Sequence, residues 1–395
     1  MTSRRCCWSR RIGNWALLAA TLAAVPAWGG GPQTEAPLAI DAPLGLPAVP
    51  FPPHNPPTAA KVELGRKLFF DRRLSFNGAM SCAMCHMPEQ GFTSNELRTP
   101  VGSEGASVRR NAPTLLNVAY HPRLFHDGRD GALETQVWGP LLAPDEMANP
   151  SLGHVLDRLR ALPDYAGLFE TAFAGRGASA DRVGEALASY QRTLVSGDSR
   201  FDRYRYGNAN DALDSEERLG LAIFTGKGRC ASCHLIGERA ALFSDFRYHN
   251  TGIGWLRGKA RPEVEFELAP GISATMSAAT VRSIGAVPRS DLGRFEITLD
   301  PQDRWAYKTP MLRDVAATSP YMHDGSLPTL AAVVEYYDRG GAGAPDQSPL
   351  IAPLQLSAEE KAALVAFLKT LGGRNAHRQG RDKPGIAVAV PSSSM

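Results

Sequence analysis

Two copies of one short pattern constrain this chain more than any other feature. "CAMCH" at 82–86 and "CASCH" at 230–234 each place two thiols three residues apart, with a histidine directly behind. Residues three apart share one side of a helical turn. Thiols so placed can form thioethers with the two vinyl groups of one haem, and the following residue, His86 or His234, then turns its imidazole to the iron. A redox dithiol does not need that histidine, and a zinc site needs partner ligands at similar spacing. The pattern therefore points to two covalently bound c-type haems, held by Cys82, Cys85, His86, Cys230, Cys233 and His234.

The remaining two cysteines, Cys6 and Cys7, lie in a segment that reads as a secretory signal peptide, residues 1–27. Arg4, Arg5, Arg10 and Arg11 precede a short apolar run, Ile12 to Val25, and then Val25-Pro26-Ala27. The run is too short to span a bilayer, so no stable membrane anchor is expected. Ser9-Arg10-Arg11 has a faint twin-arginine character, but Gly13 and Asn14 follow where apolar residues belong. Export implies the periplasm, where four cysteines could instead form disulfides; the histidine behind each pair argues for haem. Of 43 Lys and Arg, four leave with the signal, so 39 remain against 40 Asp and Glu. That balance gives no electrostatic case for nucleic acid or an anionic membrane.

Residues 28–57 carry nine prolines and read as an extended leader without a core of its own. Helical patterns follow at 59–70 behind a capping Thr58, and at 151–161, 181–194, 216–224 and 358–371. Strand signals are few and short, the best being "RFEITL" at 294–299. The tail, 374–395, reads as disordered. The expected fold is mainly α: two one-haem units, 58–200 and 201–373, related by an internal repeat.

The repeat is "APTLLNVAYHPRLFHDG" (112–128) against "TPMLRDVAATSPYMHDG" (309–325), with seven identities in seventeen positions. Fourteen residues after His126 stands Pro140; fourteen after His323 stands Tyr337. If this position faces the iron opposite the proximal histidine, the copies differ in kind. Proline has no side-chain donor atom and leaves an open face; a phenolate can ligate ferric iron and close it. Spacing alone leaves Tyr337 a packing residue, as Tyr336 is read to be. Met311 and Met322 are rival soft ligands or plain filler. His126 and His323 are read as bonding within their Asp-Gly turns or orienting haem propionates, and His54, His121, His154, His249 and His377 are unassigned.

These motifs, with "RNAPT", "HDGR", "LETQ", "PDEM" and "PYMHDG" in this order, resemble the dihaem cytochrome c peroxidase family, and more closely its MauG-like branch, over residues 50–372. The resemblance implies a mainly α fold of two cytochrome c-like haem domains, a first haem that takes hydrogen peroxide, and a calcium ion between the haems. Its ligands would be the side-chain oxygen of Asn111 and the carbonyls of Thr318 and Pro320. Glu146 falls on the family's distal glutamate and Gln136 on its distal glutamine; the carboxylate would carry a proton from the near to the far peroxide oxygen.

Three departures stand out. No histidine lies between His86 and His121, where classical members carry a distal one; the matching place is near Gly102-Ser103. Tyr337 stands where classical members have methionine, as in MauG-like proteins. His126 replaces the family's common inter-haem tryptophan. The implied electron donor is a small cytochrome c, a cupredoxin or a protein substrate, and members are often homodimers. The rival readings are a conventional cytochrome c peroxidase, a non-enzymatic dihaem electron carrier and a disulfide-built binding protein.

Overall fold

Thr58 begins the first long helix by accepting the Lys61 N–H on its hydroxyl at 3.2 Å, which satisfies one of the helix's orphan donors. The computed structural model describes residues 37–374, apart from 104, 106, 259–262, 270, 271 and 278–290. The backbone alone is described at 258, 263–269 and 272–277. The expected signal peptide (1–27) and all but the first residue of the tail (374–395) lie outside the described residues. No described helix is long and apolar enough to cross a membrane.

The fold is mostly helical. In chain order the helices are α1 (Ala59–Phe70), α2 (Cys82–Cys85), α3 (Leu133–Gln136), α4 (Trp138–Leu142), α5 (Leu152–Ala161), α6 (Leu168–Ala172), α7 (Ala180–Arg192) and α8 (Arg200–Tyr206). Then come α9 (Ser215–Thr225), α10 (Ile253–Gly258), α11 (Phe295–Thr298), α12 (Leu330–Asp338) and α13 (Ala358–Lys369). Capping boxes fix three starts: Ser199 with Asp202, Asp214 with Glu217, and Ser357 with Glu360.

Each half of the chain is built on one close helix crossing. Where α1 meets α7, a Cβ added at Gly65 would lie 1.9 Å from the Ala186 carbonyl oxygen. Where α9 meets α13, a Cβ at Gly220 would lie 2.0 Å from the Ala363 carbonyl oxygen. Only glycine permits backbones this close. Around the first crossing gathers a core drawn from residues 64–194, including Phe69 and Phe92. Around the second gathers a core drawn from 201–371, in which Phe201, Phe224, Phe243 and Phe367 pack edge to face or tilted. Full burial of each such ring contributes about 1.5–3 kcal/mol.

The leader is extended but packed. Leu46 is buried in a small third cluster with Tyr120, Val195 and Met311, so residues from both halves meet on it. The Gly45 carbonyl accepts from the Ala241 N–H at 3.1 Å and from Arg313 at 2.6 Å. The Arg313 guanidinium forms a forked pair with Asp202, both contacts at 2.9 Å and both side chains buried.

Strands are few. β1 (Tyr248–Asn250) pairs antiparallel with β4 (Ala306–Lys308), setting His249 opposite Tyr307. β2 (Glu263–Ala269) and β3 (Ile272–Ser277) form a hairpin. The expected strand at 294–299 is corrected: Phe295–Thr298 is helical. The N–H groups of Ile297 and Thr298 bond back to the Arg294 carbonyl, and Leu299 closes the turn in the left-handed region at φ +58°. Glu296 is drawn inward by Arg109 (2.7 and 2.9 Å) and by the Leu292 N–H, which local β-propensity cannot resist.

Candidate active site

In the first motif, α2 carries both thiols and ends at His86, whose N–H bonds the Cys82 carbonyl at 2.9 Å. In the second, a 3-10 turn at Cys230–Ser232 leads into Cys233, and the His234 N–H reaches the Cys230 carbonyl at 2.9 Å. Both imidazoles are anchored alike. His86 Nδ1 lies 3.1 Å from the Phe92 carbonyl and His234 Nδ1 2.8 Å from the Phe243 carbonyl. Phe92 and Phe243 are both fully buried, both with positive φ. A carbonyl at Nδ1 accepts a hydrogen bond from the Nδ1–H, which keeps the proton on that nitrogen and leaves Nε2 as the basic one.

Both motifs open on one cavity of about 710 Å³. Cys82, Cys85, Cys230 and Cys233 form no disulfide with one another. Burial pushes Cys82 and Cys230 up to about 12 and Cys85 up to about 11. A thiol raised this far is a poor redox nucleophile, which disfavours a dithiol exchange site. Burial also lowers both proximal histidines, so the imidazoles are neutral as metal ligands must be. Neutral thiols in pairs, anchored imidazoles and a large shared cavity fit two haems attached by thioethers.

The repeat extends beyond the seventeen residues that reveal it. On α12, Leu330, Val333, Val334 and Tyr337 line the cavity at i, i+3, i+4 and i+7, while Glu335 and Asp338 bind Lys361 of α13 at 2.8 and 2.6 Å. In the first copy the same wall is α3–α4, with Gln136, Val137 and Pro140 facing the cavity. Tyr336 spends its hydroxyl on the Thr251 carbonyl at 2.6 Å and is buried. Tyr337 lines the cavity, and burial raises its phenol above the ordinary value.

Glu146 lines the cavity on the Pro140 side. Desolvation, with Asp145 behind it, pushes its carboxyl up to about 7, against a smaller opposite pull from Arg129. Its loop is clamped at the place where a distal histidine would be sought. The Ser103 N–H and hydroxyl both donate to the Glu146 carbonyl, at 2.9 and 2.7 Å, and a Cβ at Gly102 would lie 1.9 Å from the Asp145 carbonyl oxygen. The segment holds the carboxylate's loop instead of offering a ligand. Sequence reasoning missed this clamp; a Gly-Ser pair gives no signal of its distant partner.

Asn111, Thr318 and Pro320 also line the cavity. The Asn111 amide donates to the Arg98 carbonyl at 3.0 Å, leaving its side-chain oxygen free to accept. Met311 and Met322 lie on the same wall, Met311 buried in the third core cluster. His126 bonds the Asn111 carbonyl through Nε2 at 2.9 Å, outside its own turn. His323 does not bond within its turn: Nε2 is buried with no hydrogen-bond partner among the described residues. Of the unassigned histidines, His121 and His249 reach the cavity, the first held by Lys308 (3.0 Å), the second by Asp245 (2.9 Å). His377 lies outside the described residues.

Comparison with known proteins follows the same lines. The family profile described as di-haem cytochrome c peroxidase matches residues 59–210, and one described as RoxA-like, cytochrome c-like matches 306–341. The chain is 39% identical to the methylamine utilization protein MauG of Methylorubrum extorquens, over 82% of this chain and 81% of that one. It is 37% identical to the cytochrome-c peroxidase IdrP1 of a Pseudomonas species, over 82% and 84%. Among solved structures, a MauG-like protein associated with microbial copper homeostasis superposes with a TM-score of 0.70 at 32% identity, covering 85% of this chain and 96% of that one. The diheme peroxidase BthA of Burkholderia thailandensis gives 0.63 at 26%, covering 86% and 94%.

Proposed function

The chain belongs to the dihaem cytochrome c peroxidase family, in its MauG-like branch, and from that premise we propose how its residues divide the reduction of peroxide. It is an oxidoreductase acting on peroxide, with c-type haems as cofactors. The observation that carries the division of labour is the unlike pair at one repeat position: Pro140 facing the cavity from the first copy, Tyr337 from the second.

Haem bound at Cys82 and Cys85 supplies the iron at which peroxide is reduced. His86 and His234 would hold the irons through Nε2. Pro140 offers no donor atom, so the haem site of His86 would keep room for peroxide. Glu146, its carboxyl raised to about 7, would take a proton from one peroxide oxygen and pass it to the other, so that this oxygen can leave as water when the O–O bond breaks with electrons supplied by the haem. Gln136, on the same wall, orients the peroxide with its amide. Tyr337, once deprotonated, would be the second protein ligand of the haem held at Cys230 and Cys233, where an anionic phenolate would favour the higher oxidation state. Asn111, with the Thr318 and Pro320 carbonyls, would hold a calcium ion: the three residues line the cavity, and neither carbonyl accepts a hydrogen bond among the described residues. The basic and apolar segment 1–27 supports export to the periplasm.

Electrons come from a donor protein, and the MauG-like character favours oxidation of residues on that partner. A conventional reading, in which a small cytochrome feeds the enzyme, is favoured by the names of other relatives. These include the cytochrome c551 peroxidase of Nitrosomonas europaea, 32% identical over 83% of this chain. Rapid peroxide turnover with reduced small cytochrome, without modification of any protein, would decide for that reading. The ligands are tested by electron paramagnetic resonance of the oxidised protein, wild type beside Tyr337→Met, before and after one equivalent of peroxide. Wild type is expected to show one high-spin and one low-spin ferric signal that fade together. A low-spin signal unchanged by the substitution would remove Tyr337 as ligand.

A further inference from the structure

The repeat meets itself across a seam. Asn111 and Lys308 occupy equivalent repeat positions, as do His126 and His323. The Asn111 N–H donates to the His323 carbonyl at 2.8 Å, and the Lys308 N–H donates to the His126 carbonyl at 2.7 Å. These are one contact with the copies exchanged, the pattern of a two-fold interface. All four residues line the cavity that both Cys-x-x-Cys-His motifs share.

One residue earlier the equivalence breaks: Arg110 stands in the first copy and Tyr307 in the second. The Tyr307 ring lies flat on His323, with centroids 3.5 Å apart and planes 12° apart, the tightest ring pair among the described residues. Both rings are buried. Each side of the pair leads toward a different motif. Tyr307 is three residues from Pro310, whose backbone bonds His234. His323 is bonded through its carbonyl by Asn111, two residues from Pro113, whose backbone bonds His86.

We propose that the stacked Tyr307–His323 pair is the bridge across which a single electron passes between the two haem sites. The proposal rests on the two-haem peroxidase reading. In the step, the His234 site is oxidised by one electron and the His86 site is reduced by one; no bond forms or breaks and no proton moves. Two features make the pair a bridge and not a resting place for charge. Oxidation of the phenol to a neutral radical requires its proton to leave, yet the hydroxyl donates to the Asp291 backbone carbonyl at 3.2 Å, which is no base, and the nearby Asp291 carboxylate is held low by Arg110 and Arg109 and is a weak one. The Asp291 carboxylate is occupied by Arg110 at 2.6 and 2.8 Å. The Arg110 guanidinium also lies 5.5 Å from the Tyr307 ring centre, and a cation over the face opposes positive charge on the ring.

The test uses the two-haem protein as wild type, Tyr307→Phe and Tyr307→Leu. Each is reduced by one electron with carbon monoxide bound at the open site. The ligand is then removed by a light flash, and redistribution of the electron is followed optically. Tyr307→Phe, which keeps a ring on the imidazole, is expected to redistribute close to the wild-type rate. Tyr307→Leu is expected to lose an order of magnitude or more, with haem content, spin states and midpoint potentials unchanged. His323→Leu, which removes the other half of the stack, should match Tyr307→Leu and stands in if that variant does not load haem. Redistribution at the wild-type rate in the leucine variants overturns the bridge. So does equal slowing in Tyr307→Phe, which would make the phenol a true redox intermediate. Failure of the wild type to show unlike spin states would count against the Tyr337 assignment alone, since the optical rate remains readable.

Discussion

Glu146 and Asp164 show how differently one functional group behaves in two settings. Asp164 is exposed and held low by Arg73 and Lys67, as surface carboxylates commonly are. Glu146 faces the cavity, where desolvation outweighs Arg129 and lifts it to about 7. As a base it works in the ionised form, so the rate of the peroxide step should rise with pH through about 7 and level off above it. Glu146→Gln should keep both haems, react far more slowly and lose this pH dependence; stopped-flow traces across the pH range would show it. The same shift acts on stability with the opposite slope. The folded chain holds a proton that an ordinary glutamate releases near 4.5, so this group's contribution falls as pH rises from there to about 7. The type and place of this residue are visible in sequence through "PDEM"; its titration is not, because that depends on the walls around it.

Helix positions were readable where caps and apolar periodicity agree, as in α1, α5, α7, α9 and α13. Shorter elements such as α6, α8 and α10 gave no such signal, and two other stretches are instructive. The hairpin β2–β3 has a period-two signal, Val264, Phe266 and Leu268 alternating with glutamates, in a sequence otherwise poor in strand patterns. "RFEITL" has the composition of a strand, yet Arg109, remote in sequence, holds its glutamate and the turn closes as a helix. The helix crossings are likewise silent in sequence, since a glycine within a helix reads only as a weak point. Gly65→Ala and Gly220→Ala should each destabilise by about 1–3 kcal/mol through overpacking. Gly153→Ala in α5, where the nearest atom to a new Cβ is 3.7 Å away, should be neutral or gain about 0.5–1 kcal/mol. Urea titrations of the three variants would separate close approach from ordinary helix propensity.

At the scale of the molecule, Arg313, Asp202 and the leader form one buried polar junction. Arg313→Leu strands the Asp202 carboxylate in the core and should cost about 3–5 kcal/mol. Adding Asp202→Asn to it should recover a large part, because the uncompensated charge is gone. A double-mutant cycle by denaturant unfolding measures this; full additivity of the two single losses would show the pair to be uncoupled. Composition suggested an unpacked leader because prolines and small residues bury little by themselves. It becomes part of the core only through Leu46 and backbone carbonyls that meet partners from 120, 241 and 313.

By itself the sequence determined the attachment chemistry and the duplication, since thiol spacing, the following histidine and repeat offsets are local properties of the chain. It also marked the unlike pair Pro140 and Tyr337, because a proline has no donor atom in any fold. Tertiary structure alone decided that both motifs open on one cavity, that the Gly102-Ser103 loop clamps the loop of Glu146, and that Tyr307 lies flat on His323. Each of these joins residues tens to hundreds of positions apart. Burial, pKa and ring stacking are fixed by which surfaces exclude water together, and no local window of the chain contains that information.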